Sequence, residues 1–109
     1  MTAPVLTISI GRNVGATPMT RAAWDNFHAD ILATITTPGA DVYVPGAHSV
    51  GEWEGVSEES RTYVASVPED YVPAIRTRLA HLAHAYRQDA IALTVGVGSL
   101  VDARKAVAA

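Results

Sequence analysis

The apolar positions of this chain switch between a period of two and a period near 3.6. From Val5 to Ile10, Leu6, Ile8 and Ile10 fall on one side and Thr7 and Ser9 on the other, the alternation of a half-buried strand. Gly11 to Gly15 ends that strand as a loop. Trp24, Phe27, Ile31 and Ile35 then recur at helical spacing and predict an amphipathic helix. Its start is well marked: Thr20 is an N-cap whose hydroxyl accepts an orphan backbone N–H. Met19 before the cap and Trp24 four residues after it suit a hydrophobic staple. Thr36 to Gly39 ends the helix.

A short second strand is predicted over Asp41 to Pro45. Gly46 to Ser60, punctuated by Gly46, Gly51 and Gly55, reads as the bulged end of that strand followed by a hairpin connection. Arg61 to Val67, rich in β-branched and aromatic residues, is the third strand, stopped by Pro68, Glu69 and Asp70. Val72, Ile75, Leu79, Leu82 and Tyr86 then form a continuous helical stripe, with Asp70 as cap and Pro73 tolerated in the first turn. Ala90 to Val97 is the last strand. Ile91, Leu93, Val95 and Val97 share one of its faces; Ala92, Thr94 and Gly96 share the other. Ser99 is placed to cap a short helix in the tail, 99–109.

Strand, helix, strand, strand, helix, strand in a single domain, 1–109, predicts a ferredoxin-like α+β sandwich. Its four-stranded antiparallel sheet carries both helices on one face. The other face is the informative one. Thr7, Ser9, Ala92, Thr94 and Gly96 are small and only mildly polar, whereas sheet faces left to water usually carry long charged groups. Such a face expects a cover: a second copy of the sheet, a loop or a ligand.

Composition narrows the function classes. The 109 residues include 8 basic and 11 acidic side chains, for a net charge of −3, which argues against a nucleic-acid partner. The absence of cysteine excludes a disulfide framework, a thiolate nucleophile and a cysteine-ligated metal. The most apolar run, Ala90 to Val101, is too short for a bilayer span, and the N-terminus lacks a charged start followed by an apolar run. A cytoplasmic protein with no membrane partner is expected. Of the 8 basic residues only Lys105 is a lysine, a codon bias that suggests a GC-rich genome, an actinobacterium or one of its phages.

Four sequence pieces resemble an uncharacterised family of short bacterial and phage domains of unknown function. They are Gly11-Arg12; Thr20 with Trp24 and Phe27; Gly51-Glu52-Trp53 followed by Glu58-Glu59-Ser60-Arg61; and Tyr86-Arg87-Gln88-Asp89-Ala90-Ile91. The resemblance spans most of the chain and implies the ferredoxin-like fold. It transfers no activity.

The candidate chemistry centres on the glycine-punctuated segment. His48 is a candidate general base, because imidazole titrates near neutral pH. Glu52 or Glu54 would orient it, and Arg12 would hold a carboxylate or enolate oxygen. Trp53 and Tyr63 would line the pocket, and Ser9 and Thr94 would meet a ligand on the open face. The plainer reading makes His48 a loop residue, Trp53 a cover for the sheet edge and the glutamates solvated. Glu58, Glu59 and Arg61 suit an ion pair across the hairpin. His81 and His84 are spaced i, i+3 but lie opposite the apolar stripe and lack a third ligand, so no metal is expected. His28 reads as a partly buried, hydrogen-bonded histidine. Gly96-Val97-Gly98-Ser99 lacks the Lys-Ser/Thr of a phosphate loop. No cofactor is implied. The sequence therefore expects an interaction module, homodimeric through its open face, with a small molecule or a protein as further partner. The alternatives are a cofactor-independent dimeric enzyme acting on a small oxygenated or aromatic molecule, and a phage-borne factor that modulates a host protein.

Overall fold

The structure, a computed structural model, describes residues 3–97. The predicted capping role of Ser99 and the short C-terminal helix lie outside the described residues. Six strands and two helices follow in the order β1 (Pro4–Gly11), β2 (Asn13–Val14), β3 (Thr17–Pro18), α1 (Arg21–Ile35), β4 (Asp41–Trp53), β5 (Val56–Ser66), α2 (Val72–Ala85) and β6 (Ala92–Val97). The main sheet has the order β4-β5-β1-β6, antiparallel throughout. This is the predicted ferredoxin-like sandwich.

One apolar cluster joins Leu6, Ile8 and Ile10 of β1 and Tyr63 and Ala65 of β5 to both helix stripes. From α1 it takes Trp24, Phe27, Ile31 and Ile35, and from α2 Ile75, Leu79 and Leu82, so both helices cover the same face. Phe27 is fully buried and stacks on Tyr86, with centroids 4.3 Å apart and planes 10° apart. Cutting such a buried ring back to alanine costs about 3–5 kcal/mol.

The predicted helix start holds. Thr20 Oγ1 accepts from the backbone N–H of Ala23 at 3.2 Å, and Met19 and Trp24 are both buried beside the cap. Asp70 is not the cap of α2. A 3-10 turn over Glu69–Tyr71 leads into that helix, and no side chain caps it, with Pro73 in its first turn. The loop expected at Gly11 to Gly15 contains half of a small hairpin, β2 against β3.

The largest departure is in the middle of the chain. The second strand continues past Pro45 through the expected bulge but stays paired as far as Trp53, and the third begins at Val56 rather than Arg61. The glycines that read as loop signals serve a bent ribbon instead. Gly46 has φ +107° at the second of two register shifts, and a Cβ there would lie 2.7 Å from the His28 ring. Glu54 and Gly55 both have positive φ, the two-residue type I′ connection whose twist matches that of paired strands. β1 ends opposite Ser60, so the rungs from Val50–Glu59 to Trp53–Val56 project beyond the sheet as a two-stranded arm.

Candidate functional site

The arm needs an anchor, because a two-stranded ribbon is marginal alone. Arg12 and Asn13, at the start of β2, supply it. The Arg12 backbone N–H donates to Glu59 O at 3.0 Å, extending the β1–β5 pairing by one rung. Asn13 N–H donates to Glu58 Oε2 at 2.9 Å, and Asn13 Nδ2 donates to Ser57 O at 3.1 Å. Gly11 leaves room for the Glu58 carboxyl, which a Cβ would meet at 2.7 Å. Gln88, beyond α2, donates to Asn13 O at 3.1 Å and secures the same corner from the other side.

Arg12, Glu59 and His48 meet at this corner. Arg12 Nη1 lies 3.1 Å from each Glu59 carboxylate oxygen, while Arg12 Nε donates to Met19 O at 3.0 Å. His48 Nε2 is 3.4 Å from Glu59 Oε2. The hydrogen bond from Arg12, and to a lesser degree the one from His48, holds the Glu59 carboxyl below its ordinary pKa. Beside these three side chains opens a groove of about 350 Å³, lined by Arg21, Trp24, His48, Glu59 and Arg61. The Arg61 guanidinium lies over the Trp24 ring, 5.6 Å from its centroid.

His28, half-buried on α1, matches its predicted structural role. Its Nδ1 is 2.7 Å from the Tyr63 hydroxyl. Burial, reinforced by the charge of Arg61, lowers its pKa. Burial also pushes the Tyr63 hydroxyl up to about 12.

The predicted site residues are only partly brought together. Arg12 and His48 converge through a shared carboxylate, but it is Glu59, not Glu52. Glu52 stands opposite Ser57 in the arm, exposed, and Glu54 is in the turn. The meeting place is on the side of the sheet that carries α1, not on the open face. Arg12 is already committed to Glu59 and Met19, so the anion-holding part expected of it has no free donor fork. Tyr63 does not line a pocket on the open face: it is fully buried in the core. Trp53 ends β4, opposite Val56. Ser9 and Thr94 do lie on the open face, Ser9 Oγ 3.4 Å from Thr62 Oγ1 and Thr94 opposite Thr7. His81 and His84 are exposed on α2.

Sequence reading missed the part played by Arg61, Arg21 and Trp24 around one groove. The alternation of β5 could have found it, since Tyr63 and Ala65 face the helices and Arg61 is in phase with them.

The open face is more uniform than the end strands alone indicated. β5 adds Ser60, Thr62 and Val64 to it, and the register of β4 adds Val44, Ala47 and Ser49. Among the described residues of β1, β4, β5 and β6, the middle of this patch carries no charge; Asp41, across from Ser66, bounds it at one end and Glu58 at the other.

No helix among the described residues is long and apolar enough to cross a membrane. No protein-family model matches the chain, and no curated protein matches it either. Solved structures do. A phage SAM lyase in its apo state is 15% identical, covers 88% of this chain and 81% of its own, and superposes with a TM-score of 0.55. A point variant of CutA1 from Pyrococcus horikoshii OT3 is 10% identical, covers 95% of this chain and 91% of its own, and has a TM-score of 0.50. At such identities the likeness is one of fold, and the fold of this chain is the ferredoxin-like α+β sandwich.

Proposed function

We propose that this chain is a small binding module that works in the cytoplasm as a homodimer, joined through the open face of its sheet. One observation carries the reading: between Asp41 at one end and Glu58 at the other, every main strand gives that face small or β-branched, uncharged residues. A face left to water has no reason to avoid lysine and glutamate along four strands. A surface of small, uncharged residues can pack against its own copy, so a second copy is the fitting cover. Four strands about 4.8 Å apart and six residues long span on the order of 400 Å². Two such patches bury on the order of 800 Å², below the roughly 1,200 Å² of stable interfaces. In this reading the projecting β4–β5 arm supplies the remainder by lying along the partner. Membership of the family of short bacterial and phage domains belongs to the same proposal.

The chain has no cysteine, so Thr62→Cys gives a single reporter on the face. Its maleimide labelling is expected to be slow in concentrated protein and to rise on dilution. Ala80→Cys, on the exposed side of α2, should label fast throughout. Labelling of Thr62→Cys that ignores concentration would contradict self-association.

A second reading, an enzyme acting on a small molecule without a tightly held cofactor, is favoured by the Arg12–Glu59–His48 chain beside its groove. In it His48 is the base, Glu59 orients it, and Arg61 holds the anion. A phage SAM lyase shares the fold, which makes SAM the first substrate to test. Turnover that falls about 100-fold or more in His48→Ala supports this reading. No turnover of SAM removes that substrate.

A further inference from the structure

We infer that the groove between the start of α1 and β5 is a binding site for a small carboxylate, held by Arg61. The inference needs neither self-association nor catalysis. It begins with a charge that lacks a counterion. Among the described residues, Arg12 is paired with Glu59, Arg21 with Asp25 at 3.4 Å, and His48 with Glu59, while Arg61 makes no salt bridge. Arg61 is nonetheless half-buried, and its Nε is out of reach of water without a hydrogen-bond partner. The Trp24 Nε1, in a side chain only 1% exposed, is likewise buried without an acceptor. Both side chains line the same groove, and neither donor has an acceptor among the described residues.

Burial lowers the pKa of His28 and the positive charge of Arg61 lowers it further, while at Tyr63 the same charge opposes the burial that raises it. The ligand class follows from the same residues. A guanidinium presents a planar donor fork that matches a carboxylate. The Trp24 ring lies beneath that fork, its centroid 5.6 Å from the guanidinium carbon. The Glu59 carboxylate lies in the same groove and repels a second negative charge, which favours a monoanion over a phosphate dianion. The volume of about 350 Å³ suits a small molecule rather than a peptide.

The buried N–H groups are also the reporters. In ¹⁵N-labelled full-length protein, the Trp24 indole and Arg61 Nε–H signals are followed during titration with sodium acetate. Sodium phosphate and sodium chloride at matched ionic strength serve as separate arms. Saturable shifts of both signals with acetate, at least tenfold tighter than with phosphate, are expected. Arg61→Gln should abolish them, and Arg61→Lys, which keeps the charge but not the fork, should weaken binding about tenfold. Tighter binding of phosphate would overturn the carboxylate assignment. Shifts that chloride reproduces, or acetate binding that survives in a folded Arg61→Gln protein, would overturn the site. If Arg61→Gln fails to fold, the Arg61→Lys comparison decides.

Discussion

Arg12 and Glu59 are 47 residues apart in sequence, and Arg12 Nη1 sits 3.1 Å from both oxygens of the Glu59 carboxylate. This pair closes the corner where β1 runs out and the β4–β5 ribbon continues alone. It also turns Glu59 toward His48. The arm's attachment and the alignment of the groove are therefore set by the same carboxylate.

Removing that charge should loosen the arm more than the domain. In Glu59→Gln, backbone amides from Gly51 to Ser57 are expected to exchange faster, while those of Leu6, Ile8 and Phe27 keep their protection. Hydrogen exchange resolved by residue checks this. Uniform loss of protection across both sets would show that the pair supports the whole fold.

Stability should fall with acid in two stages. The folded-state pKa of His28 is lowered from 6.5, so the unfolded chain takes up this proton first. Stability that is full above pH 6.5 declines as the pH drops through the folded value. The pKa of Glu59 is lowered from 4.5, so its contribution is present above pH 4.5 and is lost below it. Urea unfolding across this range should show both stages, and His28→Phe should remove the upper one and spare the lower.

At high pH the sign reverses. The hydroxyls of Tyr63 and Tyr86 are pushed up to about 12, Tyr63 by burial and Tyr86 by burial together with its 2.6 Å hydrogen bond to Asp30. Both favour the neutral form in the folded chain. Their contribution is intact below pH 10 and is lost as the pH rises toward 12. Tyr86→Phe keeps the stack on Phe27 and should shift this alkaline loss by removing one of the two groups. Ultraviolet titration of the phenolates alongside unfolding tests it.

The turn of the arm carries avoidable strain. Glu54 has φ +49°, a left-handed conformation that asparagine tolerates better. Glu54→Asn should stabilise the protein by on the order of 1 kcal/mol. A rise in Tm without a change in the denaturant slope is the expected result; an unchanged or lower Tm would count against the turn assignment.

The sequence carried the periodic elements well and the arm poorly. Trp24, Phe27, Ile31 and Ile35 form one stripe that only a helix buries together, and Leu6, Ile8 and Ile10 fix the face of β1. Gly46, Gly51 and Gly55 punctuate the segment as a loop would. Yet only Gly46 and Gly55 have positive φ, one at a bulge and one at the turn, and the ribbon between them stays paired. Local composition does not distinguish a loop from a bent strand whose partner lies beyond it. The groove was hidden for a related reason: Trp24 and Arg61 meet only once α1 lies across β5.

Sedimentation velocity of the wild-type chain and of Thr62→Arg tests the central claim most directly, since Thr62 lies mid-face opposite Ser9. The wild-type protein should sediment at twice the 11.5 kDa chain mass and dissociate on dilution. Thr62→Arg should sediment as a folded monomer, its guanidinium having no partner in a dry, uncharged interface. A wild-type chain that remains monomeric at high concentration, or a Thr62→Arg chain that still doubles its mass, would contradict self-association through the open face.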